Sequence, residues 1–224
     1  MIRLSVRGLA KYIVSSPSAQ LKVLQDFKYP KADEPFAMRT FYIDALRAIA
    51  AFHRDRHSTD WLRSIAGTLG EQSRSESGSG ARRLAQNARA ITQYQQYFST
   101  RSFDVLQPPR LRLIQENVTI SVAPDLYVME SGRAKMIKFQ YGGKELSDQA
   151  IKVITQCLLT AAKKAGHEMS ANSVSYLDLP RGVAHTAPRS GARVWRDIDA
   201  ACRTIALVWE AIPPPRPSRR ANAA

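Results

Sequence analysis

Cysteine is nearly missing: Cys157 and Cys202 are the only two in 224 residues. So few thiols exclude a four-cysteine zinc ribbon and a disulfide scaffold. Both sit at apolar helical positions, which reads as free buried thiols in a reducing compartment. No apolar run approaches the roughly 18 residues that a bilayer-crossing helix needs, so no membrane role is expected. The opening MIRLSVRGLAKYIVSS is basic and Ser-containing but has no secretory apolar core. The expected location is cytoplasmic. Glycine-rich phosphate loops, nucleophile elbows and zinc-finger spacings do not occur. Acidic residues are also short, 19 against 33 Lys+Arg, for a net charge of +14. A field of that size favours polyanions. The excess is +7 on each side of residue 100, so it is no basic tail hung on a neutral domain.

What is present suffices for a core, since 44% of the residues are hydrophobic and 23% charged. The first hundred residues read as helices. RGLAKYIVSS and PSAQLKVLQDFKY are separated at Ser16-Pro17, a break-and-restart signal. YPKADEP is a loop, FYIDALRAIAAFHRD a helical stripe, and Ser58, Thr59 and Asp60 offer caps for WLRSIAGTL. SRSESGSG, residues 73–80, predicts a flexible linker before the amphipathic ARRLAQNARAITQYQQYF. After residue 100 the pattern changes to strands. Residues 103–107 form a short one, RLRLIQE and NVTISV pair about Glu116-Asn117, and DLYVME and AKMIKFQY pair about ESGR. A helix with Ile151, Ile154, Cys157, Leu158 and Ala161 on one face follows and stops at Gly166. SVSYLDL is a strand, PRGVAHTAPRSG a loop and ARVWRDIDAACRTIALVWEAI a last helix. The reading is α+β: a helical region over 1–100, a small mixed sheet flanked by helices over 101–212, and a disordered basic tail over 213–224.

Within VAPDLYVMESGRAKMIKFQYGG, Asp125 faces Lys138 and Gln140 across a hairpin. Alone, Pro-Asp is a common turn dipeptide and a strand lysine an ordinary solvated residue. The order of elements around them is similar to the PD-(D/E)XK nuclease superfamily, over residues 110–210. The resemblance implies a restriction-endonuclease-like fold. It also implies a Pro-Asp on one strand and an acid-x-lysine on the next, the two carboxylates holding Mg²⁺ and the lysine stabilising phosphate charge. Pro124-Asp125 matches the first element. The second departs from it in either register. With Lys138 as the family lysine, the acid position is Met136; with the pattern laid before Gly142, the acid becomes Lys138 and the lysine Gln140. Compensating groups would be Glu116, Glu145 or Asp148, and Gln149 is similar to the helix glutamine of some members.

Other basic and metal-like clusters occur. Arg181, His185, Arg189, Arg193 and Arg196 form a basic loop running into a helix, suited to phosphate. Arg82, Arg83 and Arg89 make a second strip, read as a solvated helix face. His53 and His57 have metal spacing, but HRDRH lacks the glutamate of HExxH and carries arginines that repel a cation. The favoured expectation is a DNA- or RNA-binding protein with a degenerate nuclease-like domain and no committed cofactor. The alternatives are an active Mg²⁺-dependent nuclease built on Asp125 with a migrated acid, and a basic subunit meeting a protein partner or a second copy of itself.

Overall fold

The computed structural model describes residues 2–30 and 41–215. The first described element is a strand, ahead of the helix expected from Arg7 and within the region read as helical. Ile2–Ser5 (β1) alternates buried and exposed residues and pairs in parallel with Val118–Val122 (β4). The Ser5 hydroxyl accepts the Gly8 N–H at 3.1 Å and so caps the helix Val6–Val14 (α1). Pro17 restarts the chain as Pro17–Lys28 (α2). Ile43–Arg54 (α3), Thr59–Ser75 (α4) and Gly78–Phe98 (α5) then form a helical layer.

The Ser/Gly linker expected at 73–80 shrinks to two residues. Ser73 and Ser75 turn their hydroxyls back onto Gly70 O at 2.7 Å and Gln72 O at 2.9 Å, which carries α4 through the serines. Gly78, at φ 67°, supplies the left-handed turn that opens α5. The strands Asp104–Leu106 (β2), Leu111–Gln115 (β3), Leu126–Glu130 (β5) and Arg133–Gln140 (β6) follow. Both hairpin turns have positive φ, at Glu116 and Asn117 and again at Ser131 and Gly132. After Asp148–Lys164 (α6), Val174–Asp178 (β7) enters parallel to β6. The stretch read as a loop contains a further strand, Val183–Thr186 (β8), antiparallel to β7. Ala192–Val208 (α7) is the last helix described. Residues 31–35 of the expected loop and 216–224 of the expected tail lie outside the described residues.

The described chain is thus α+β, with seven helices flanking two sheets ordered β1-β4-β3 and β2-β5-β6-β7-β8. The expected division near residue 100 is crossed by the β1–β4 pair, and α1 packs on α6. Alternation along β6 sends Met136 into a core with Leu9, Ile120, Ile154 and Ile198. Ile137 and Phe139 enter a second core with Ile49, Leu62, Ile91 and Tyr94 under α3–α5. Cys157 and Cys202 are free and buried, and burial pushes both thiols up, Cys202 to about 12, so neither is a thiolate nucleophile. Among the described residues no helix is long and apolar enough to cross a membrane.

His53 belongs to the second core, where its Nε2 bonds the Tyr94 hydroxyl and its ring packs on Phe103 at 4.4 Å. Burial first, and then the positive Arg101 and Arg56, lower its pKa to about 4; Glu130 opposes them. The unfolded chain binds this proton from about pH 6.5, whereas the folded chain does not until about pH 4. Stability is therefore full above pH 6.5 and falls as the pH drops toward 4, by on the order of 2 kcal/mol. Glu130, held at about 2 chiefly by its hydrogen bond from Arg101, adds its own loss only below about pH 4.5. Urea midpoints should decline between pH 6.5 and 4.5 in the wild type and stay flatter in His53→Gln.

Candidate functional site

The register of three strands assembles the site. Leu126 lies opposite Ile137, so the preceding Asp125 lies opposite Lys138, and its N–H donates to Ile137 O at 2.8 Å. In the parallel pair, Lys138 aligns with Tyr176 and Gln140 with Asp178. Side chains alternate along a strand, so Asp125, Lys138, Gln140, Tyr176 and Asp178 share one face near the carboxyl ends of β6 and β7. That end is where ligands enter open α/β sheets. Pro124 is buried, which fixes the turn that delivers Asp125.

Asp125 is fully engaged. Its Oδ1 accepts the Lys138 ammonium at 2.7 Å and its Oδ2 the Phe139 N–H at 2.7 Å. The same ammonium donates to Ala123 O at 3.0 Å, and both side chains are 16% exposed. Gln140 is buried and equally committed. It accepts the Tyr176 hydroxyl at 2.6 Å and donates to Gly142 O, with a longer contact of 3.4 Å to Lys144 O. Burial first, with the carboxylates of Asp178 and Asp125, pushes the Tyr176 hydroxyl up to about 12, so it remains a neutral donor. Arg7, at the start of α1, donates to Phe139 O and closes the edge of the cluster.

A second acid does exist on this face, and sequence reasoning passed over it. Asp178 is 3% exposed, accepts the Arg181 N–H at 3.3 Å and pairs with its guanidinium at 2.8 Å. Asp125, just before β5, and Asp178, at the end of β7, lie on either side of β6 opposite Lys138 and Gln140, so their Cα atoms are about 12 Å apart at ordinary strand spacing. Each carboxylate is already engaged by its own cation, Asp125 by Lys138 and Asp178 by Arg181, which leaves neither free to hold Mg²⁺. The resemblance implies Mg²⁺, and the residues do not fit it. Among the described residues no three His, Cys, Asp or Glu side chains gather as a metal would need. Of the two registers, Met136 is fully buried in the first core, while Lys138 meets Asp125. Of the two positions the resemblance offers for a second acid, 138 is the one that faces Asp125.

The other candidate groups disperse. Glu116 sits at the β3–β4 turn against Arg203 at 3.4 Å, the length of β4, about 17 Å, from Asp125. Glu145 is exposed and meets Arg181 at 3.3 Å. Asp148 is exposed in the first turn of α6, and Gln149 donates to Asp197 of α7 at 3.0 Å rather than toward Asp125. The basic loop also divides. Arg181 stays at the carboxyl end of β7, tied to two acids. β8 then runs back along β7, with His185 opposite Tyr176. Arg189, Arg193 and Arg196 emerge exposed beyond the far end of β8, about 13 Å from Arg181 along a four-residue strand. His53, bonded to Tyr94, and His57, stacked on Trp61 at 4.1 Å, form no metal pair. The signal for Asp178 was present in the sequence: LDLPR places an Asp before a Pro-containing turn whose N–H it caps. No family model and no curated protein matches this chain.

Proposed function

We propose that this protein binds nucleic acid through its phosphates without hydrolysing it, around a PD-(D/E)XK-like centre that has lost its metal. The observation that carries the reading is the Lys138 ammonium, 2.7 Å from Asp125 Oδ1 and 3.0 Å from Ala123 O. It sits where a second carboxylate and a cation would have to go, and it supplies the positive charge itself. A fixed ammonium does not generate a metal-bound hydroxide, so this centre lacks the nucleophile that metal-dependent hydrolysis uses. The net charge of +14 supports attraction to a polyanion. Exposed Arg189, Arg193 and Arg196 are available to phosphate oxygens, whereas Arg181 is neutralised by Asp178 and Glu145. Buried free thiols suit a reducing, cytoplasmic setting.

Binding of a labelled oligonucleotide is expected to weaken steeply with salt, with a log–log slope of at least about −2. Plasmid and oligonucleotide should remain intact in Mg²⁺ or Mn²⁺. Cleavage by the wild type that disappears in Asp125→Ala overturns the reading in favour of an active nuclease. Absence of salt-dependent binding to any nucleic acid overturns it in favour of a basic protein-interaction subunit.

A further inference from the structure

The outer face of α5 bears on which form of nucleic acid is bound. Arg82, Gln86, Arg89 and Tyr97 fall on one side of this helix, away from the buried Leu84, Ile91, Tyr94 and Phe98. The stripe spans about 22 Å at 1.5 Å per residue. Two close approaches fix it against the carboxyl ends of the central strands. A Cβ on Gly142, just past β6, would stand 3.7 Å from Gln86 Oε1 and 2.8 Å from the Tyr42 hydroxyl. A Cβ on Gly182, just past β7, would run into the Tyr97 ring at 2.5 Å. The loops that follow β6 and β7 therefore pack on this face of α5, on the side of the sheet opposite the Asp125–Lys138 cluster.

Charge along this face is unbalanced. Arg83 is paired with Asp44, but among the described residues no carboxylate pairs with Arg82, Arg89 or Arg7. All three positive charges act on the Tyr42 hydroxyl, whose pKa burial nonetheless raises. Tyr42 stacks on Tyr141 at 4.8 Å with rings 10° apart, and Tyr97 remains 43% exposed. Two buried polar atoms beside this face, Gln93 Oε1 and Tyr141 Oη, have no hydrogen-bond partner among the described residues. Arginines with no carboxylate partner among the described residues, in a row with an exposed aromatic ring, are the combination that holds unpaired nucleotides, phosphate to cation and base to ring. A duplex hides its base faces and leaves such a ring without a partner.

We propose that the Arg82–Arg89–Tyr97 face of α5, together with Arg7, is a track for single-stranded nucleic acid. This rests on the nucleic-acid reading above. The test is fluorescence anisotropy with a 20-nucleotide oligo-dT and a 20-base-pair duplex, over a range of NaCl concentrations. Arg82→Glu/Arg89→Glu is compared with Lys22→Glu/Arg112→Glu, a control of equal charge change on α2 and β3. Oligo-dT is expected to bind the wild type more tightly than the duplex does. The α5 double variant should weaken oligo-dT binding at least tenfold and flatten the salt slope by about 1.4, while the control shifts it less than threefold. Tyr97→Ala should weaken oligo-dT binding about five- to tenfold with little effect on duplex, and Tyr97→Phe should restore it. Equal losses in the α5 variant and the control, tighter binding of duplex, or equal competition by polyglutamate of matched charge each overturn the proposal. If the wild type binds neither oligonucleotide, the nucleic-acid reading itself fails; if it binds both and ignores the α5 substitutions, only the track fails.

Discussion

Lys138→Glu is expected to make the protein respond to divalent cations, and the wild type is expected not to respond. In the wild type, the ammonium occupies Asp125 Oδ1 at 2.7 Å and Ala123 O at 3.0 Å. Glutamate at 138 stands directly across from Asp125, with the two Cα atoms about 5 Å apart. Two carboxylates and the Ala123 carbonyl then converge without a cation among them. The metal-free variant should be less stable than the wild type by about 2–3 kcal/mol, since an ion pair is lost and two like charges face each other. One of the two carboxyls should hold its proton above the ordinary range. Mn²⁺ at about a hundredfold excess over its dissociation constant returns about 2.7 kcal/mol. Urea midpoints with Mn²⁺ and with EDTA should therefore separate for the variant and coincide for the wild type. A folded Lys138→Glu protein with superimposed curves would show that position 138 is not the missing acid. Met136→Glu offers no equivalent rescue, because Met136 is fully buried and a carboxylate there meets apolar core.

The facing of Asp125 and Lys138 was legible because one hairpin turn determines it. Once ESGR is placed as the turn, counting outward from Ser131-Gly132 sets 125 against 138. The α6 stripe and the break at Ser16-Pro17 were legible for the same reason: a local period or a local cap decides each. Elements whose partners lie far away in the chain were not. β1 is four residues long and is a strand only because β4, over a hundred residues later, offers it an edge. β8 is four residues set among glycine and proline, and it is completed by β7. The serines at 73 and 75 suggested a linker by composition, yet their hydroxyls satisfied the backbone and extended a helix. Within the site, Arg7 was missed because nothing local points it toward residue 139, and Asp178 because its local signal, the cap before Pro180, does not place it beside Gln140. That Arg83 is paired while Arg82 and Arg89 have no carboxylate partner among the described residues is likewise a fact of tertiary neighbours, not of the run of letters.

Asp125→Ala should destabilise the fold by about 3 kcal/mol, more than an exposed strand residue would. The substitution leaves the Lys138 ammonium, 16% exposed, with only the Ala123 carbonyl, and it strands the Phe139 N–H beside a buried ring. Lys138→Met leaves the Asp125 carboxylate one strong donor, the Phe139 N–H, and should lose about 1–2 kcal/mol. The double variant removes both charges together and should lose only about 2 kcal/mol. The two single losses then exceed the double loss by about 2 kcal/mol, the coupling that urea denaturation of all four proteins would read. This cycle separates two histories for the same residue. A carboxylate kept for catalysis is held against the interests of stability, and removing it tends to be neutral or stabilising. A carboxylate kept to tie β5 to β6 is missed when it goes. Asp125→Ala at or above wild-type stability would return Asp125 to the list of catalytic acids and would mean that the ammonium beside it is not its structural partner.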